Sequence, residues 1–152
     1  MTTPTKIASR PAFKAVGLPY KGKNENNEIA GLWQAFNPRV REIQHITDGA
    51  FGICKEADAD GSFPYLAAMA VSDATQIPPG MVCWEIPEQT YAVFECALPA
   101  IRETYHYAYE TWLPASGYEF SGGPDFEYYD EAFDPQTGGP MTIHIPVVKK
   151  KA

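Results

Sequence analysis

The stretch that most constrains this chain is Ser72 to Gly80, SDATQIPPG, because Pro78-Pro79-Gly80 forbids a regular element near the midpoint of the 152 residues. The segments on either side follow one order. Before it, Ala12 to Leu18 reads as a strand with an apolar bias, and residues 1–9 read as a loose terminus or as the lead-in to a first strand. Residues 19–28 are polar and turn-rich. Ile29, Leu32, Trp33, Phe36, Val40 and Ile43 then recur at helical spacing. Asn37-Pro38 interrupts them, which predicts a kink or two abutting helices. Phe51 to Glu56 and Phe63 to Val71 form a hairpin across the turn Asp58-Ala59-Asp60-Gly61. That turn lacks the remaining ligands of a calcium loop.

After the midpoint the order returns. Met81 to Pro87 and Thr90 to Cys96 read as two strands or one long bent strand. Leu98 to Leu113 reads as a helix with Pro99 in its first turn and a stripe of Ile101, Tyr105, Ala108, Tyr109 and Trp112. Pro114 and Gly117 end it. Asp125 to Phe133 and Met141 to Val148 form a last hairpin around Asp134 to Gly139. The fold class is therefore α+β, with two βαββ units forming a pseudo-twofold repeat over about 10–77 and 78–150 of a single domain spanning 1–152. Neither unit is large enough to bury its own sheet well. Paired, they give one antiparallel sheet with two main helices on one face and a ligand groove at the seam between the halves.

Composition narrows the function classes. Hydrophobic residues make up 45% of the chain, enough for a core, and aromatic residues 13%, enough to line a cavity besides. The net charge of -7 and the confinement of dense basic charge to Lys149-Lys150-Lys151 argue against direct nucleic-acid binding. Cys54, Cys83 and Cys96 have neither disulfide-framework nor zinc spacing. With no apolar leader or membrane-length run, a cytoplasmic protein is expected. No P-loop or GxGxxG motif is present, so no cofactor is expected, and no metal either.

Trp112-Leu113-Pro114-Ala115-Ser116-Gly117-Tyr118-Glu119 followed by Pro124-Asp125-Phe126-Glu127-Tyr128-Tyr129-Asp130 resembles the signature of GyrI-like effector-binding domains. These include the ligand-binding domains of AraC- and MerR-type transcription regulators and the integron-associated effector-binding proteins. Leu32-Trp33, Ile86-Pro87 before Tyr-Ala-Val-Phe, and Ile143-His144-Ile145-Pro146-Val147 extend the resemblance over about 10–149. It implies two βαββ units with a pocket between them that takes bulky cationic aromatic compounds, and a pocket-facing glutamate on the penultimate strand. Glu127 matches that glutamate. The resemblance leaves no residues for a helix-turn-helix, so a stand-alone multidrug-binding module is expected, not a repressor or activator by itself.

The residues can also be read without the family. Strand alternation puts Asp125, Glu127 and Tyr129 on one face and Phe126 and Tyr128 on the other. If the helices cover the more apolar face, Glu127 points away from them, into the groove or onto an exposed strand face. In a groove, a cationic or aromatic small molecule would pair with the carboxylate, and aromatic walls would add cation–π attraction. Tyr65 and Tyr129 are the preferred wall residues; Trp84, Phe94, Trp33 and Trp112 are further candidates, the two helical tryptophans being equally readable as core. Two other functions remain open. Some GyrI-like proteins hydrolyse cyclopropane-bearing genotoxins, and Glu127 could activate a water for such a reaction. A gyrase-inhibitor type of protein-interaction module is the third.

Overall fold

A computed structural model describes Pro4 and residues 6–151; the rest of the lead-in read over 1–9 lies outside the described residues. Strands β1 (Lys6–Arg10) and β2 (Phe13–Gly22) open the chain. Helix α1 (Glu28–Phe36) follows a left-handed Asn27, with φ 63°, and continues as a 3-10 segment (Asn37–Glu42). The change falls at Asn37-Pro38, where proline lacks the N–H that an α-helix needs. Glu28 sits in the first turn, where a negative charge suits the helix dipole, and accepts from Tyr20 Oη at 2.8 Å. β3 (Ile46–Cys54) and β4 (Phe63–Val71) form the first hairpin, tightened by Gly61 at φ 90°.

The second half runs β5 (Val82–Ile86), β6 (Gln89–Cys96), a 3-10 turn (Leu98–Ala100), α2 (Ile101–Tyr107), β7 (Tyr118–Phe120), β8 (Asp125–Tyr129) and β9 (Met141–Lys149). Between α2 and a last helical turn (Leu113–Ala115) lies a π-helical turn, Ala108–Trp112, in which Leu113 N donates to Ala108 O. The single regular helix expected over Leu98 to Leu113 is thus three geometries in succession. Pro114 has no N–H for Glu110 O, and its ring crowds that carbonyl in an α-helix; widening the preceding turn relieves both. β8 stops at Tyr129 rather than Phe133, because Asp130 starts a turn by accepting from Ala132 N at 2.8 Å.

The main sheet has the order β1-β6-β9-β8-β3-β4-β2-β5, all pairs antiparallel, and β7 pairs with the end of β9. The order is symmetric about the β8–β3 junction. β1 precedes β2 but pairs with β6; β5 precedes β6 but pairs with β2. Each half therefore lends a leading strand to the other, which ties the halves together beyond the central seam. This exchange lies outside the βαββ reading, as does the three-residue β7.

Register decides the faces. Ala67 lies opposite Gly52, Gly52 opposite Glu127, Glu127 opposite Ile143, and Ile143 opposite Phe94. Directly paired residues share a face, so these five form one row. Helix α1 packs on this face through Phe36 against Tyr65 and Ala67, and α2 packs on it through Ile101 and Tyr105 against Phe94 and Ile143. Both helices therefore lie on the side of Glu127, which corrects the expectation that they cover Phe126 and Tyr128. The opposite face is more apolar, but it covers itself: the sheet curls until Phe13 meets Phe51 at 4.9 Å and Phe126 at 5.9 Å between ring centroids. Tyr91 closes on Phe126 at 5.0 Å. Arg10 caps this helix-free core, its guanidinium 5.0 Å from the Tyr128 ring centroid and 2.7 Å from Asp48.

Candidate functional site

The residues around Glu127 come from five elements. β8 supplies Asp125, Glu127 and Tyr129; β4 supplies Tyr65; α1 supplies Trp33; α2 and the π-helical turn supply Tyr105 and Tyr109. Glu127 is only 8% exposed. Its Oε1 accepts from Tyr65 Oη at 2.9 Å and Tyr129 Oη at 3.0 Å, and its Oε2 from Tyr105 Oη at 3.5 Å. Trp33 Nε1 donates to Tyr65 Oη at 2.9 Å, so that hydroxyl accepts from the indole while it donates to the carboxylate. The Trp33 ring also meets the Tyr129 ring edge-on at 5.5 Å. None of the ion pairs among the described residues involves Glu127.

Space for the carboxylate is made by Gly52. A Cβ there would run into Tyr65 Oη and Glu127 Oε1. Gly52→Ala is therefore expected to push the tyrosine off the carboxylate and to destabilise the fold by about 1–3 kcal/mol. Urea unfolding checks this; an unchanged midpoint would mean that the site can yield without loss.

Burial dominates the electrostatics. It raises the Glu127 carboxyl to about 7, against the lowering effect of the Tyr65 and Tyr129 hydroxyls, with Asp125 pushing it further up. Asp125 is raised to about 6 by burial, opposed by the Tyr109 hydroxyl that donates to it and by the nearby Cys54 thiol. Burial pushes Tyr65 and Tyr105 well up and raises Tyr129, so these hydroxyls remain donors at any physiological pH. The site holds two carboxylates near their ionisation points and no counter-cation. Such a site can bind a cation or hold a proton. Among the described residues no cluster of metal-ligating side chains is present.

Of the wall residues expected from sequence, Tyr65, Tyr129 and Trp33 gather at Glu127. Phe94 shares the row of Glu127 but is fully buried under Tyr107 and Trp112. Trp112 stacks between Phe94 and Tyr118 rather than reaching the carboxylate. Trp84 pairs with Ala15 and packs on the helix-free core, with Lys55 Nζ 4.2 Å from its ring centroid. Its register places it on the wrong face. Tyr105, Tyr109 and Asp125 are not among the wall residues expected from sequence. The signal for the tyrosines was present in their i, i+4 spacing, but that spacing reads as core. Asp125 carried the signal of sharing a face with Glu127.

A symmetric antiparallel sheet with two helices on one face is the fold of GyrI-like effector-binding domains, a small-molecule-binding class. The chain belongs to the integron-associated effector binding protein family, whose family model matches residues 6–147. It is 37% identical over 150 residues to the transcriptional regulator BrlR of Pseudomonas aeruginosa, covering 93% of this chain and 54% of BrlR. The chain thus spans about half the length of that relative. Among solved structures it resembles SAV2435 bound to tetraphenylphosphonium, with TM-score 0.77, 20% identity and coverage of 97% of this chain and 94% of that one. It also resembles the EcmrR C-terminal domain, with TM-score 0.76, 16% identity and coverage of 99% and 100%. At these identities the likeness is one of fold. Among the described residues no helix is long and apolar enough to cross a membrane.

Proposed function

We propose that the chain binds cationic aromatic small molecules by pairing them with Glu127 between the two helices. The observation that carries this reading is a buried carboxylate with three tyrosine hydroxyls around it and no cationic side chain paired with it. Taking such a group out of water is costly, and a bound cation offsets the cost in an enclosed site where Coulomb attraction is weakly screened. Trp33, Tyr65, Tyr105 and Tyr129 put aromatic rings around the carboxylate, and a cation that parts them gains cation–π attraction from their faces. The hydroxyls hold the carboxylate in place before a ligand arrives. Binding requires the tyrosine and tryptophan side chains over Glu127 to part, because they cover the carboxylate. SAV2435, the fold relative solved with tetraphenylphosphonium, lends support by analogy and supplies a probe.

Calorimetric titration with tetraphenylphosphonium tests the reading. Micromolar or tighter binding is expected for the wild type and at least a ten-fold loss in Glu127→Gln, about 1.4 kcal/mol or more. Equal binding by the variant would overturn it. Affinity should also depend on pH. A bound cation favours the ionised carboxylate, so binding expels a proton wherever Glu127 is protonated in the free protein. With the free carboxyl at about 7, affinity should rise from pH 5.5 to pH 7 and level off above it. The rise is limited to about ten-fold per pH unit for one proton. A flat profile would mean that Glu127 does not meet the charge.

A second reading, hydrolysis, draws on the same carboxyl near neutrality, the range in which a general base works best. Mass spectrometry of a cyclopropane-bearing compound recovered after incubation separates the two: added water supports hydrolysis, and unchanged compound supports binding alone.

A further inference from the structure

Glu127 has a neighbour that one cation leaves unused. Asp125 stands two residues earlier on β8 and on the same face, about 6.6 Å along the strand. As a residue it is half-buried, but its carboxylate is enclosed: Tyr109 Oη donates to Oδ2 at 2.5 Å, and Oδ1 is buried with no hydrogen-bond partner. Tyr105 and Tyr109 are one helical turn apart, and their rings stack at 6.5 Å with planes 10° apart. Each tyrosine donates to one carboxylate, Tyr105 to Glu127 and Tyr109 to Asp125. The result is a ladder of two tyrosines over two acids. None of the ion pairs among the described residues involves either acid.

An enclosed carboxylate oxygen without a donor destabilises the fold, so stability does not explain Asp125. Resting on the reading of Glu127 given above, we propose that Asp125 is a second anionic anchor. The site then selects aromatic ligands with two cationic centres, one for each carboxylate, spaced to match the Asp125–Glu127 separation. A monocation leaves one enclosed acid either protonated or unpaired. A dication compensates both and relieves the repulsion between them. The titratable groups facing the pair are Cys54, Tyr65, Cys96, Tyr105, Tyr109 and Tyr129, and none of them carries positive charge.

The test compares methyl viologen, a flat aromatic dication, with its monocationic analogue N-methylated phenylpyridinium, by calorimetry at pH 7.5. The wild type should prefer the dication by about ten-fold or more, the scale of a close desolvated charge pair. Asp125→Asn should lose that preference, binding the two probes within about three-fold of each other. An Asp125→Asn protein that keeps the preference, or a wild type that has none, overturns the proposal and leaves the role of Glu127 standing. A wild type that binds neither probe, or a Glu127→Gln protein that binds the monocation undiminished, overturns the Glu127 reading and this proposal with it. A measurement on the wild type alone covers the case of an unstable variant. At pH 6, titrations in two buffers of different ionisation enthalpy count the protons released. The dication should release more than the monocation, and equal numbers would count against the second anchor.

Discussion

Glu127→Gln is expected to stabilise the protein at pH 8 while abolishing its proposed cation site. The sign follows from the direction of the shift. Folding raises this carboxyl from an ordinary 4.5 to about 7, so the folded state holds its proton longer than the unfolded chain does. Stability is therefore full below the unfolded value, falls as pH rises between the two values, and stays low above about 7. The gap corresponds to about 3 kcal/mol at most. Glutamine keeps an acceptor for Tyr65 and Tyr129 and carries no charge to desolvate. Its amide N–H groups lack a matched acceptor, so the expected gain at pH 8 is about 1–3 kcal/mol, or several degrees in melting temperature for a chain of this length. At pH 5 the gain should vanish, because the native carboxyl is then protonated as well. Thermal unfolding at the two pH values checks this. A variant equally destabilised at both would mean that the carboxylate is well solvated in the folded protein.

Acid should act through a different residue. His144 is buried on the helix-free face, stacked on Phe126 at 4.5 Å, with Nδ1 enclosed and unpartnered. Burial, with Arg10 and Lys6 nearby, lowers its pKa from 6.5 to about 3. Here the unfolded chain takes up the proton first. The stability of neutral His144 is present above about 6.5 and is lost progressively as pH falls towards 3. By pH 4 the loss from this group alone is about 3 kcal/mol. His144→Phe keeps an aromatic ring against Tyr91, Phe126 and Tyr128 and removes the titration. The variant should therefore unfold at a lower pH than the wild type, with similar stability at pH 8. Coincident acid transitions for the two proteins would show that His144 is protonated without penalty.

These two residues lie on opposite faces of the same sheet, and the two faces were unequally legible. Elements governed by local chemistry could be read directly. β4 follows from an uninterrupted apolar run, and the break after α1 follows from a proline without a donor. The hairpin turns follow from their Asp and Gly residues. Pairings between distant segments could not be read. β1 and β5 are five-residue strands whose exchange between the halves leaves no mark in their own sequences, and β7 is too short for alternation to register. Tyr105 and Tyr109 read as core for a related reason: a stripe at helical spacing reports that a face is covered, not that it covers a carboxylate.

The motif around Glu127 shows where the boundary falls. By itself the sequence determined that Glu127 and Tyr129 face one way and Phe126 and Tyr128 the other, because side-chain alternation is a property of one strand's backbone. It also supplied the carboxylate and the aromatic residues around it. Only the tertiary structure decided which face the helices cover. Both faces carry apolar residues, and a sheet that curls far enough can bury the richer face against itself. The helices then close over the face that holds Glu127, and what strand alternation marks as a place for charge becomes an enclosed site between two helices.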